Sequence, residues 1–232
     1  SCLIGRLALG NAHTCAKLSA TVDATHSSSG LKCFGWNDAG NLGLGNTGTS
    51  QSYAMGDDLP FVDLGSGQVV ASVAAGMRHT CAVIEDVRGV KCWGSGDDGR
   101  LGYGNTDTIG DELGEMGSSL DFVDLGSGQT VAAVALGRVH TCALLESGNV
   151  KCWGSGNDGR LGIGNTDTIG DEPNEMGSNL SFVDLGTNQK AVAITAGDDH
   201  TCVLLDTQKV KCWGFGGGGQ LGYPPNSDGV YD

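Results

Sequence analysis

One short pattern occurs four times in this chain. His-Thr-Cys is followed by an apolar run and then Lys-Cys-aromatic-Gly, with copies opening at His13, His79, His140 and His200. A period of roughly 60 residues means an array of similar small units, each burying its apolar face against the next. The 41 glycines against only 4 prolines fall at fixed places within the copies, so they mark turns rather than a flexible low-complexity chain.

Eight of the nine cysteines fall into local pairs: Cys15 with Cys33, Cys81 with Cys92, Cys142 with Cys152, and Cys202 with Cys212. In the third copy, setting Leu144 opposite Val150 and Leu145 opposite Asn149 makes a hairpin around Glu146-Ser147-Gly148. That register puts Cys142 directly across from Cys152, within the reach of a disulfide. The fourth copy takes the same register around Asp206-Thr207-Gln208, and the second accepts one extra residue. Bound zinc or another soft metal, and reduced packing cysteines, are the competing readings. However, no pair has Cys-x2-Cys spacing, and a zinc site would need four ligands from each unit. One disulfide per unit is therefore expected, each contributing roughly 2 to 3 kcal/mol, in an oxidising compartment. The ninth cysteine, Cys2, is expected to bond another chain, with a free thiol or a partner outside this segment as the alternatives.

The rest of each unit reads as β-structure. Phe122-Val123-Asp124-Leu125 predicts a short strand, Gly126-Ser127-Gly128 a turn, and Thr130 to Leu136 a strand of small apolar residues suited to a crowded axis. The cysteine hairpin supplies two more strands, and no helical period is sustained. The fold class expected is all-β: a β-propeller of four-stranded antiparallel blades in a single domain, residues 1–232, with blades at about 1–60, 61–121, 122–181 and 182–232. Trp93, Trp153 and Trp213, one residue past the second cysteine, should face the adjacent blade.

Val-Lys-Cys-Trp-Gly, then Asp158-Gly159-Arg160-Leu161-Gly162-Ile163-Gly164, then Val-Asp-Leu-Gly and an Ala-rich strand ending at His-Thr together resemble the repeat of the regulator of chromosome condensation family. The resemblance covers essentially the whole chain and implies a β-propeller; the added cysteines resemble the secreted members of that group. The family usually closes with seven blades, whereas four repeats occur here. Either four blades close, or another chain completes the set. Outer strands are legible at Phe61, Phe122 and Phe182, with Gly229-Val230-Tyr231-Asp232 the only candidate for a fourth. An uncovered edge could take a strand from another subunit.

Composition narrows the partners. With 13 basic and 27 acidic side chains the formal charge is −14, which disfavours nucleic acid and anionic membrane surfaces. No run of 18 apolar residues occurs, so no membrane insertion is expected. Residues 1–10 lack a signal-peptide layout, and any secretion signal is expected to have been removed. The four equivalent histidines read as structural, since catalysis rarely needs four copies of one group. His26 lies in a serine-rich insertion. The acidic connections carry Asp107, Asp111, Glu112 and Glu115, with Asp167, Asp171, Glu172 and Glu175 as their counterparts. These are hard oxygen donors, making calcium the one cofactor to weigh against a solvated surface. Asn179-Leu180-Ser181 is an N-glycosylation sequon. The functional expectation is an extracellular, non-catalytic propeller, at the cell surface or in the matrix, that binds other protein chains including copies of itself. A carbohydrate-binding or adhesive module with glycan partners is the alternative, with Tyr103 and Tyr223 as its loop aromatics.

Overall fold

A computed structural model of the chain describes residues 4–18, 30–48 and 56–223. Among them, twelve strands form four antiparallel three-stranded sheets. The first sheet holds β1 (Ile4–Leu9), β2 (His13–Leu18) and β3 (Leu31–Gly35), and the second β4 (Val70–Ala75), β5 (His79–Ile84) and β6 (Val90–Gly94). The third holds β7 (Val131–Leu136), β8 (His140–Leu145) and β9 (Val150–Gly154), and the fourth β10 (Ala191–Ala196), β11 (His200–Leu205) and β12 (Val210–Gly214). Strands run in chain order across every sheet, so each pairs with its neighbour in sequence.

The cysteine register is as expected. Cys15 pairs across from Cys33, Cys81 from Cys92, Cys142 from Cys152 and Cys202 from Cys212. All four pairs are bridged, with Cα atoms 4.1 Å apart. The first strand of every sheet shifts register once near its start, between Ile4 and Arg6, Val70 and Ser72, Val131 and Ala133, and Ala191 and Ala193. A bulge repeated at one place bends each first strand alike.

The expected fourth strand of each blade needs correction. Phe61-Val62, Phe122-Val123 and Phe182-Val183 run beside the third strand without forming a ladder. Each is tied to it by a backbone bond, from the Val62, Val123 and Val183 N–H groups to the carbonyls of Leu31, Val90 and Val150 at 2.9, 2.8 and 2.9 Å. These segments thus lie along the third strand of the preceding sheet. A buried lysine takes over the work of the missing ladder. Lys91 Nζ donates to the carbonyls of Leu64 and Gly117 at 2.9 and 3.2 Å and lies 5.0 Å from the Phe122 ring centre. Lys151 does the same with Leu125 and Gly177, both at 2.8 Å, and with Phe182 at 4.8 Å. Burial lowers the pKa of both ammonium groups from the ordinary lysine value, which three such contacts per cation offset. The candidate strand at 229–232 lies outside the described residues.

The chain divides into two compact units, one of Ser1–Gly96 with Asp107–Val123, the other of Asp97–Thr106 with Asp124–Asp232. Each carries two sheets. In the second unit the core gathers Cys142, Leu144, Val150, Cys152, Leu161, Val183, Leu185, Ala191, Val203 and Leu205 between its sheets, with Trp213 packed against them. The apolar alternation of β8 and β11 thus becomes a shared interior.

Candidate functional site

The repeated polar residues meet where one sheet packs on the next, and the same joint is built within each unit. In the first unit, Thr80 Oγ1 donates to the Asn41 carbonyl at 2.8 Å, and Trp93 Nε1 donates to that same oxygen at 3.2 Å. His13 Nε2 stands 2.8 Å from Thr80 Oγ1. A hydroxyl has one proton, and that of Thr80 goes to Asn41, so His13 must be the donor. The imidazole is therefore the Nε2–H tautomer, and its buried Nδ1 has no hydrogen-bond partner.

In the second unit, His140 Nε2 lies 2.9 Å from Thr201 Oγ1, which donates to the Arg160 carbonyl at 3.5 Å, and Trp213 Nε1 reaches that carbonyl at 3.0 Å. Thr141 and Trp153 converge in the same way on the Arg100 carbonyl, at 2.9 and 3.1 Å. The Arg160 side chain is buried and held by Asp158 and Asp199 at 2.8 and 2.7 Å, fixing the turn that presents its carbonyl. Two glycines are steric requirements of this joint. A Cβ on Gly137 would strike the His140 ring, and one on Gly162 would stand 2.7 Å from Trp213 Nε1.

Burial without a partner for Nδ1 opposes protonation, since an added N–H would find no acceptor. The pKa of His13 falls to about 4 and that of His140 to about 3, in both cases chiefly through desolvation. These two histidines are thus neutral hydrogen-bonding struts. The sequence pointed to the histidines and tryptophans but not to the carbonyls of Asn41, Arg100 and Arg160, because a backbone acceptor has no residue-type signature. The one available signal was the recurring Gly-Arg-Leu-Gly turn.

The acidic connections fold identically. Glu115 Oε2 accepts from the Gly110 and Glu112 N–H groups at 2.7 and 3.0 Å, and Glu175 Oε2 from those of Gly170 and Glu172 at the same distances. Burial, with the neighbouring Glu115 charge next in size, raises the Asp111 pKa; burial leads again for Asp171. Asp107, Glu112, Asp167 and Glu172 are exposed. Among the described residues, no three His, Cys, Asp or Glu side chains are grouped to hold a metal ion. Asn179 is exposed, with its amide donating to the Asn174 carbonyl at 2.7 Å. Cys2 and His26 lie outside the described residues.

Among the described residues, one face of the first sheet and one of the fourth are exposed in part. On β1, Leu7 is 59% and Leu9 75% exposed, whereas Val73, the β4 counterpart of Leu7, is 8% exposed. On β10, Thr195 is exposed while its counterparts Ala8 and Ala135 are 7% and 6% exposed. Six bridged cysteines are wholly buried, but Cys202 and Cys212 are only partly covered.

Four disulfide-stapled sheets, joined within each unit through histidine, threonine and indole, define blades of the β-propeller class. The regulator of chromosome condensation (RCC1) repeat pattern matches residues 33–83 and 147–204 in one form and 131–160 and 191–220 in another, together more than half of the chain. The chain belongs to the RCC1 repeat family. Among curated relatives, the Ultraviolet-B receptor UVR8 of Arabidopsis thaliana is 28% identical over 222 residues, 96% of this chain and 44% of the receptor. Among solved structures, human WBSCR16 superposes with a TM-score of 0.65 at 18% identity, over 93% of this chain and 48% of that one. Yeast RCC1 (Prp20), solved bound to Kap60, gives 0.63 at 22% identity, over 97% and 46%. The chain thus spans less than half the length of each of these three.

Proposed function

We propose that this chain is a non-catalytic structural or protein-interaction unit of the extracellular space that associates with other chains, including copies of itself. RCC1-type propellers are typically protein-interaction or regulatory modules, and yeast Prp20 was solved in complex with Kap60. The observation that carries the reading is the fate of the repeated chemistry. His13, His140, Thr80, Thr141, Thr201 and the indoles of Trp93, Trp153 and Trp213 are all spent on holding the fold together, which leaves exposed loops for recognition. Four bridged cysteine pairs support an oxidising location. A glycan on exposed Asn179 is compatible with it.

Size-exclusion chromatography coupled to light scattering tests the self-association. The expected result is a species heavier than one chain whose mass grows with concentration, and a monomer at every concentration removes that part. Secretion from cultured eukaryotic cells with all four bridges mapped by mass spectrometry is the expected outcome for the location. Retention as a fully reduced protein would refute it. The carbohydrate-binding alternative has less support, because Tyr103 is half-buried and the Tyr223 hydroxyl accepts a bond from the Cys212 N–H at 3.1 Å.

A further inference from the structure

We infer that Met116 and Met176 are oxidation sites, each a thioether latch that lets go of its acidic connection when a peroxide-class oxidant converts it to the sulfoxide. Each unit builds the latch from its own residues. In the first unit the connection 107–117 lies back across the turn that follows β3. The Gly45 N–H donates to the Gly110 carbonyl and the Gly117 N–H to the Asp63 carbonyl, both at 3.0 Å. In the second unit the connection 167–177 crosses the turn that follows β6, with Gly104 donating to Gly170 and Gly177 to Asp124 at the same distances. A methionine sits at each crossing. Met116 Cε lies 3.0 Å from the point where a Cβ on Gly43 would stand, and Val62 Cγ1 and Trp93 Nε1 lie 2.9 and 2.8 Å from that same point. Its Sδ is 3.2 Å from the corresponding point on Gly110. Met176 repeats this, with Cε at 3.0 Å and Trp153 Nε1 at 2.7 Å from the Gly102 point, and Sδ at 3.4 Å from that of Gly170.

Methyl and sulfur thus fill slots left open by glycine on both the connection and the turn. A soft thioether suits a slot beside an indole. A sulfoxide does not, because its oxygen needs a donor, and the Trp93 and Trp153 N–H groups are already given to the Asn41 and Arg100 carbonyls. Keeping that oxygen buried and unpaired is costly, so the connection lifts from the turn. Both methionines are half-buried in the folded chain, within reach of a small oxidant, whereas eight cysteine sulfurs are already joined in bridges. The step is a two-electron oxygen transfer: the peroxide O–O bond breaks, one oxygen bonds to a lone pair of Sδ, and the reduced peroxide leaves as water. A dithiol reductase reverses it, forming its own disulfide and releasing the oxygen as water. Release is local, since Lys91 and Lys151 still hold the Gly117 and Gly177 carbonyls. What moves is the carboxylate-rich stretch ahead of each methionine, so oxidation reshapes the exposed loops without dismantling the sheets.

The test exposes the folded full chain to hydrogen peroxide at neutral pH, locating added oxygen by peptide mass mapping and following amide exchange by nuclear magnetic resonance. Met116 and Met176 should each gain one oxygen, and exchange at the Gly45 and Gly104 N–H groups should become about tenfold faster. Circular dichroism and the four bridges should stay as they were. Methionine sulfoxide reductase with a dithiol should restore slow exchange, a reversal that needs no variant. The double variant Met116→Leu with Met176→Leu keeps Met55 and Met77 and should hold its slow exchange in peroxide. Met116→Gln with Met176→Gln, which places a polar group of similar length in each slot, should exchange fast without oxidant. Oxygen uptake at these two residues only after denaturation overturns the inference. So does uptake that leaves exchange at Gly45 and Gly104 unchanged, or equal loosening of the leucine variant in peroxide.

Discussion

The imidazole of His13 shows how a single proton position sets a pH limit. Its folded-state pKa of about 4 lies below the ordinary 6.5, so above about 6.5 it is neutral in both folded and unfolded chains. As pH falls, the unfolded chain takes up a proton that the folded chain refuses, and stability present at neutrality is lost progressively down to about pH 4. Full protonation costs about 3 kcal/mol for His13 on the linkage relation, with His140 of the same order. Asp111 and Asp171, with raised pKa values, act in the opposite sense and gain as pH falls. Denaturant unfolding at pH 7.5 and pH 4.5 should show the histidine loss, and His13→Gln with His140→Gln should flatten it. The indoles allow a cleaner subtraction. Trp153→Phe keeps an aromatic ring and removes the N–H from the Arg100 carbonyl, which should cost about 1 kcal/mol, readable as a lower denaturant midpoint.

At the scale of strands, local pairing is legible in the sequence and non-local pairing is not. The register of β8 on β9 follows from apolar alternation and a turn glycine, and Cys142 faces Cys152 as that alternation requires. Phe-Val-Asp-Leu reads as a full strand opening the next blade, because its composition is β-like and a Gly-Ser-Gly turn links it to the small-residue strand after it. A backbone bond and a lysine hold it to the preceding blade instead. The lysine of Val-Lys-Cys-Trp-Gly is visible as a motif letter, but its role is hidden, since its acceptors are backbone carbonyls some 26 residues away. Lys151→Met should cost about 3 kcal/mol by stranding two buried acceptors, and hydrogen exchange at Val183 should accelerate most. Exposure also ranks the staples. Limited reductant followed by alkylation and mass mapping should open Cys202–Cys212 first, because the other three bridges are wholly buried.

For the whole molecule, charge and repetition act on different properties. A formal charge of −14 makes like copies repel at long range. Raising sodium chloride from about 20 mM to about 200 mM shortens the screening length roughly threefold, so self-association should strengthen; weakening would mean that ion pairs carry it. The architecture can be read from the period, since regular spacing of turn and core residues survives as sequence. The burial of each blade face cannot, because exposure depends on what lies beside it.

The near-identity of the two acidic connections, at 102–112 and 162–172, reaches past mechanics. Where successive modules share both their staple and their junction, unequal crossing-over can add or delete a whole module and still leave every surviving seam matched. Such a lineage can change length in discrete steps, with its binding loops free to diverge between them.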